Sequence, residues 1–522
     1  MLTSSKRWLW RPTGMTDVLI VGAGSAGAIL AARLSEKPDR TVTLLESGPD
    51  YPNPDELPPD VIDSRGLGGP AHQWGFQAEV LPGRTISYPR GRLVGGTGSI
   101  NAAAAQWGQP ADFETWRARG LSDWGWADVQ PWFRRLEADR DAEGMHHGRN
   151  GPIPIIRYRL DELIPMQRAF HVGCLAAGFA DVVDHNDPSV NGPAVGPWPM
   201  NRDGNTRMSS ALTHLQAARD RPNLTIRSDA TVDRLLIEDR CVLGVRLVTG
   251  EEVRARRVVL SAGAFGSAAI LMRSGIGPAA DLAALGITPV LDRPGLGARF
   301  LDHSAVPIYL VPRAGECVMG RDPRFQMMAR FTAPGSAEAD DMQLVLTSWL
   351  DLRPTPALAA AAGADSVTAL RVALLLPCGH GRFSLMSADP MAAPRVELNF
   401  AAEPEDMRRF LAGLRLAWRV VTTPEMAGAY ERIACLDEAT ISSDTALADY
   451  VRANVGTYCH ALGTVPMGAD GDGDAVLDQQ CRVRGLEGVS VVDASVFPVV
   501  PRVVGNLTIM MIAERVAAWL SE

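Results

Sequence analysis

What the 522-residue chain lacks narrows the field first. It has no run of eighteen or more uncharged apolar residues, so no segment is built to cross a bilayer as a helix. Positive charge is in deficit: 51 Lys and Arg face 60 Asp and Glu, a formal net charge of −9, and the basic footprint that nucleic acid or an anionic membrane requires is missing. The seven cysteines are odd in number and contain no C-x-x-C pair. That argues against a disulfide framework and fits a reducing, cytoplasmic setting. The nine histidines show no H-x-x-x-H or H-E-x-x-H spacing, so no metal site is expected. Otherwise the composition is ordinarily globular, at a length where a single core rarely suffices and two packed domains are expected.

What is present is organised around Asp17 to Glu46, DVLIVGAGSAGAILAARLSEKPDRTVTLLE. Val18 to Val21 is the short apolar run of a parallel strand buried on both faces. Gly22, Gly24 and Gly27 follow at G-x-G-x-x-G spacing. Gly22 suits a tight turn, Gly24 a close approach to a pyrophosphate, and Gly27 close packing of the helix that Ser25 and Ala26 open. Thr41 to Leu45 returns as a second strand, and Glu46 at its end, beside Ser47, can hydrogen-bond a ribose diol. The glycine pattern alone is weak. With both strands and the acid it reads as an adenine-dinucleotide unit and leaves NAD and FAD open. Lys6, Arg7 and Arg11 before this run imitate a secretory signal peptide. Met15-Thr16-Asp17 is nevertheless a natural start, so residues 1–14 are expected to form an upstream extension.

Further along, Tyr51 to Pro70 reads as a long connection, and Trp74 beyond it as a core aromatic or a cofactor contact. In Pro89 to Gly108, PRGRLVGGTGSINAAAAQWG, the paired glycines exclude a regular element, and Asn101 to Gln106 reads as a helix packed closely on a planar group or on the core. Trp116, Trp124, Trp126, Trp132 and Phe133 read as packing, and His146-His147 as exposed loop residues. Strands at Leu224 to Arg227, Thr231 to Glu238 and Glu251 to Val259 lead into a helix at Ser267 to Ser274, which suggests that the nucleotide fold resumes after an excursion. Gly295 to His303 ends in an Asp-His pair to which no role is assigned. From Val306 to Asn454, strands at Met342 to Trp349, Ala369 to Leu376 and Arg382 to Met386, with a helix at Glu405 to Val421, suit an α+β substrate domain. The last seventy residues bring GTYCHALGTVPMG, VSVVDAS and Gly505-Asn506-Leu507-Thr508, where a helix start offers backbone donors and a positive dipole end.

These segments, with GRLVGGTGSIN, SAGAFGSAAILMRSGIGP and GLGARFLDH, occur in the order and spacing of the glucose–methanol–choline (GMC) oxidoreductases. The chain resembles that family over nearly its whole length, most nearly its bacterial hydroxymethylfurfural oxidase and choline dehydrogenase branch. The resemblance implies an α/β fold in which a Rossmann-like FAD-binding domain (15–157, 213–301 and 456–522) interleaves with an α+β substrate-binding domain (158–212 and 302–455), a mixed sheet flanked by helices. It implies FAD, a small-molecule alcohol as substrate, and an electron acceptor that is a quinone, another carrier or oxygen. His460 becomes the active-site base and Asn506 its partner across the flavin. Gly95, Gly96, Asn101 and Ala102 would line the isoalloxazine and pyrophosphate, and Val232 would meet the adenine. Asp493 and Ala494 would hold the ribityl side, Leu507 and Thr508 would face the pyrimidine edge, and Trp74 and Cys459 would also touch the cofactor. Ile100 stands where some relatives carry a flavin-linked His, which implies non-covalent FAD. Tyr458 stands where several oxidases have a small aliphatic residue, which disfavours oxygen as acceptor.

In this reading a neutral imidazole takes the hydroxyl proton while the carbinol carbon delivers a hydride to flavin N5. The rivals are an oxygen-using oxidase, a non-catalytic flavoprotein and an NAD-dependent dehydrogenase. The last is disfavoured because no second complete nucleotide unit is visible.

Overall fold

Thr16–Val21 (β1) pairs in parallel with Val42–Leu45 (β2) on one side and with Glu252–Leu260 on the other, and Leu19 and Ile20 are fully buried. The computed structural model to which these strands belong describes residues 15–142, 144 and 146–522, so the extension expected at residues 1–14 lies outside it. The sheet has seven strands. Its order runs Leu224–Arg227, β2, β1, Glu252–Leu260, Cys241–Leu247, Val232–Glu238, with Val489–Val491 also paired to Glu252–Leu260. Parallel strands buried on both faces read as continuous apolar runs, which is why β1 and β2 are legible in the sequence, whereas Cys241–Leu247 and Val232–Glu238 join antiparallel. Between β1 and β2, Ser25–Leu34 (α1) packs on the closing helix Asn506–Ser521. There Arg33 donates to both oxygens of the buried Glu514 carboxylate at 2.9–3.0 Å.

A second sheet of eight strands runs Tyr430–Ala434, Ser304–Pro312, Ser366–Leu374, Met342–Asp351, Met327–Phe331, Ala194–Pro197, Ala180–Asp181, with Gly456–Thr457 added beside Ser304–Pro312. Strand alternation separates its faces. Val306, Ile308, Leu344, Leu346, Leu370 and Val372 are buried on one face, the side of the helix Pro404–Val421, where a Cβ on Gly413 would lie 3.0 Å from Val372. Ala305, Pro307, Tyr309, Val345, Thr347, Ala369 and Arg371 point the other way and line a cavity. No described helix is long and apolar enough to cross a membrane.

Three expectations are corrected. Asn101 to Gln106 is not helical. Asn101 Oδ1 accepts from the Ala103 N–H at 2.8 Å, Ala103 takes φ +55°, and Ala104 and Ala105 then pair with the Pro199–Met200 backbone. The asparagine side chain competes with the helix for the donor, and this outweighs alanine's propensity. The preceding glycines do form a regular turn, a 3₁₀ turn at Gly96–Ser99.

His147 is buried, not exposed. Its Nδ1 meets Glu137 at 2.8 Å and its Nε2 meets Asp184 at 2.8 Å, while Arg157 bridges Asp139 and Asp184 and Trp107 donates to Glu137. Burial alone would keep this imidazole neutral, but the carboxylates of Asp184 and Glu137 prevail and push its pKa up to about 10. Glu137, Asp139 and His147 stand close enough together for a metal ion, yet their ligand atoms already serve this ion network.

Candidate active site

One cavity of about 820 Å3 runs from the glycine turn after β1 to the face of the second sheet that carries Ala305, Thr347 and Arg371. At the nucleotide end, Gly22 has φ +97°, and a Cβ there would stand 2.5 Å from the Ser261 carbonyl oxygen. A Cβ on Gly96 would stand 2.8 Å from Gly24 Cα, so two backbones meet where only glycine fits. No side chain caps α1 and no acidic residue sits in its first turn, which leaves its N–H groups and positive dipole end for an anion such as a pyrophosphate. Glu46 accepts from the Ala23 and Gly48 N–H groups at 2.9 and 3.0 Å, and burial pushes its pKa up to about 7. Its carboxylate therefore braces the turn as well as lining the cavity.

At the far side of this end lies His460. Asp302 organises it: Oδ1 accepts from the backbone N–H groups of His303 and His460 at 2.7 and 2.8 Å, and Oδ2 accepts from Tyr88 at 2.7 Å and from Thr457. The two imidazoles meet Nδ1 to Nδ1 at 2.8 Å, and His303 Nε2 lies 2.8 Å from the Pro501 carbonyl oxygen. A carbonyl can only accept, so Nε2 of His303 carries the proton, and a neutral His303 then accepts at Nδ1. His460 must donate from Nδ1. Its Nε2 is left with a lone pair and no described protein partner. Burial, then the neighbouring His303 and Arg90, hold His460 well below its ordinary pKa, and burial pushes His303 down to about 4. Both rings stay neutral at pH 7.

Of the residues expected from sequence, Gly22, Gly24, Ser25, Ala26, Glu46, Ser47, Trp74, Gly96, Asn101, Ala102, Val232, Cys459, His460, Asp493, Ala494 and Asn506 line this cavity. Gly27, Gly95, Leu507 and Thr508 do not. Gly27 serves helix packing, where a Cβ would meet the Gly22 carbonyl oxygen at 1.9 Å, and Gly95 turns the chain at φ +98°. Leu507 and Thr508 are buried on the inner side of the closing helix, and the cavity face carries Gly505, Asn506 and Ile509 at helical spacing. The Asp493 carboxylate is taken up by Gly263, Ser267 and Ser495 at 2.5–2.9 Å, so it fixes the turn that presents Ala494. Asn506 Oδ1 accepts from Ser25 at 2.7 Å, which ties the starts of the two helices together and leaves the amide N–H groups uncommitted. His460 contacts His303, and no hydrogen bond links it to Asn506. His303 has no signal in the sequence beyond its place in an Asp-His pair, and no role is expected of it there.

The GMC oxidoreductase family profile matches residues 16–305 with its N-terminal part and 377–513 with its C-terminal part. The 5-(hydroxymethyl)furfural oxidase of Methylovorus sp. (strain MP688) is 35% identical over 96% of this chain and 98% of its own. An alcohol dehydrogenase (acceptor) of Pseudomonas putida is 32% identical over 96% of this chain and 95% of its own. The crystal structure of pyridoxine 4-oxidase from Mesorbium loti covers 97% of this chain and 99% of its own with a TM-score of 0.86 at 30% identity. With both family segments matched and the likeness running from end to end, the chain belongs to the GMC oxidoreductases, FAD-dependent enzymes.

Proposed function

We propose that this enzyme oxidises an alcohol to a carbonyl with a non-covalently held FAD and passes the electrons to a quinone or other carrier. The observation that carries the reading is the chain Pro501 carbonyl, His303, His460, which leaves a neutral imidazole lone pair on the wall of the cavity that also holds the glycine cradle. His460 Nε2 accepts the hydroxyl proton, and the Asn506 amide N–H groups donate to the developing alkoxide. FAD, when bound, supplies the two-electron oxidant that takes the carbinol hydrogen as hydride. Gly22, Gly24, Ser25 and Ala26 would hold its pyrophosphate, Val232 its adenine, and Gly96, Asn101, Ala102 and Ala494 its ring and ribityl side. Residues 15–157, 213–301 and 456–522 form the cofactor domain in this reading, and 158–212 with 302–455 form the substrate domain. Ile100 packs with Val61 and Leu93 in an apolar cluster and offers no nucleophile for attachment.

Two of the three relatives compared are named oxidases, which favours a second reading in which oxygen takes the electrons. The primary test is anaerobic: a panel of aromatic, aliphatic and sugar alcohols should include one that bleaches the visible flavin absorbance. A holoprotein that stays yellow with all of them overturns alcohol oxidation.

A further inference from the structure

The substrate end of the cavity carries two arginines that the reaction above does not use. Arg371 projects from the middle of Ser366–Leu374, opposite Pro307 on one neighbouring strand and Val345 on the other. Arg324 enters from the loop before Met327–Phe331, with its guanidinium 4.5 Å from the Trp349 ring centroid. Neither side chain makes a hydrogen bond or ion pair with any described residue. Arg324 Nε is among the buried polar atoms without a partner, and so are Thr347 Oγ1 and the Tyr458 hydroxyl, which line the same end. Thr347 is fully buried.

Of the other cationic residues of the cavity, Arg90 donates to the carbonyls of Pro89 and Cys459 and Arg273 pairs with Asp233. Arg92, whose Nε is also unpartnered, lies 5.1 Å from the Trp74 ring centroid and senses Glu46, away from the sheet. The two acidic residues on the cavity wall, Glu46 and Asp493, belong to the nucleotide end and are bonded to backbone and hydroxyl donors. Asp351 is an acid whose charge reaches Arg324, and it forms a fork with Arg353. The two guanidiniums also sense each other, and burial together with Arg371 pushes the Arg324 pKa down to about 10. A buried donor set with no acceptor is expensive to keep unless a ligand satisfies it.

We propose that the substrate alcohol carries a terminal oxyanion, a carboxylate or a phosphate monoester, held by Arg371 and Arg324 with Thr347 and Tyr458 as hydroxyl donors. This rests on the alcohol-oxidising reading above and names its substrate class. Tyr458 links the two groups: its ring lies edge-on to His460 with centroids 5.4 Å apart, and its hydroxyl lies within reach of the Arg371 charge. That arrangement suits a ring or short chain between carbinol and anion. The intervening surface, Ala305, Pro307 and Ala369, is small and apolar, as a ring would require.

The test uses the FAD-loaded enzyme and three matched alcohols: 4-(hydroxymethyl)benzoate, 4-(hydroxymethyl)benzamide and 4-(hydroxymethyl)phenyl phosphate. The better of the two anions should exceed the neutral amide in kcat/KM for flavin reduction by about 10- to 100-fold, the worth of charge-assisted hydrogen bonds. Which anion wins identifies the source. Arg371→Gln and Arg324→Gln should each collapse that ratio toward unity, with Arg371→Lys falling between. Binding of 4-methylbenzoate and of 4-methylphenyl phosphate, which have no carbinol, is followed by calorimetry; tighter binding of the better anion in the wild type than in Arg371→Gln supports the site independently. If no alcohol bleaches the flavin yet that arginine-dependent binding is seen, the oxidation reading falls and the anion site stands. If the amide reduces the flavin as fast as the better anion does, or the ratio survives both glutamine variants, the anion site is overturned.

Discussion

His303→Leu removes the acceptor that holds the Nδ1 proton of His460 while keeping an apolar side chain in a fully buried position. In the wild type the Pro501 carbonyl fixes the His303 tautomer, and His303 fixes that of His460. As His460 gains a proton from the alcohol, its Nδ1–H donates to His303 as an imidazolium. A hydrogen bond to a charged group contributes about 1.5–3 kcal/mol. At about 1.36 kcal/mol per decade that is roughly 10- to 100-fold in the rate of flavin reduction. His303→Asn keeps an amide oxygen where Nδ1 stood and should recover most of the loss. The assay is anaerobic stopped-flow reduction across pH. Because His460 and His303 are held below the ordinary histidine range, the base stays neutral as pH falls through that range, and activity is lost only below it. Burial, the larger cause, remains in His303→Leu, so the acid limb should stay below the ordinary histidine range in that variant. Full activity in His303→Leu, or equal losses in the Leu and Asn variants, would refute the relay and leave His303 as packing.

His460→Ala should slow flavin reduction by on the order of 10²- to 10⁴-fold, the range for one acid–base group, and Asn506→Ala should slow the same step by less; unchanged single-turnover reduction in His460→Ala makes it a packing residue. Denaturing the yellow holoprotein should release FAD into the supernatant, since Ile100 lies in an apolar cluster, and flavin that stays with the precipitate contradicts this. Oxygen should reoxidise the enzyme slowly. Tyr458 lies edge-on to His460 with ring centroids 5.4 Å apart, and its side chain fills volume in a close-packed wall. Reoxidation in air-saturated buffer should therefore quicken in Tyr458→Val, and fast peroxide production by the wild type that the substitution leaves alone removes Tyr458 as a gate.

What the sequence made legible was whatever is written in consecutive residues. β1, the glycine turn, Glu46 and β2 sit in one unit of thirty residues, where strand burial and helix-terminus chemistry act locally, and its strands, turn and helix fold as read. In Asn101 to Gln106 the alanines favour a helix by propensity, but one side-chain oxygen redirects the backbone. His147 departs from expectation for a longer-range reason: its partners Glu137 and Asp184 lie ten and 37 residues away, and nothing local marks them as convergent. The same limit governs the site. His303 and His460 are 157 residues apart, and the Pro501 carbonyl that sets their tautomers is a backbone atom with no sequence signature. Arg371 reads along the chain as one basic residue in a strand. Only the pairing of three strands shows that its neighbours are Pro307 and Val345, with no carboxylate opposite it. A strand's period decides which face a residue takes, but charge compensation across a sheet depends on register between distant strands. The glycine-turn end of this cavity was therefore readable as a motif, and the sheet end became readable only once the fold supplied the partners, or showed that they were missing.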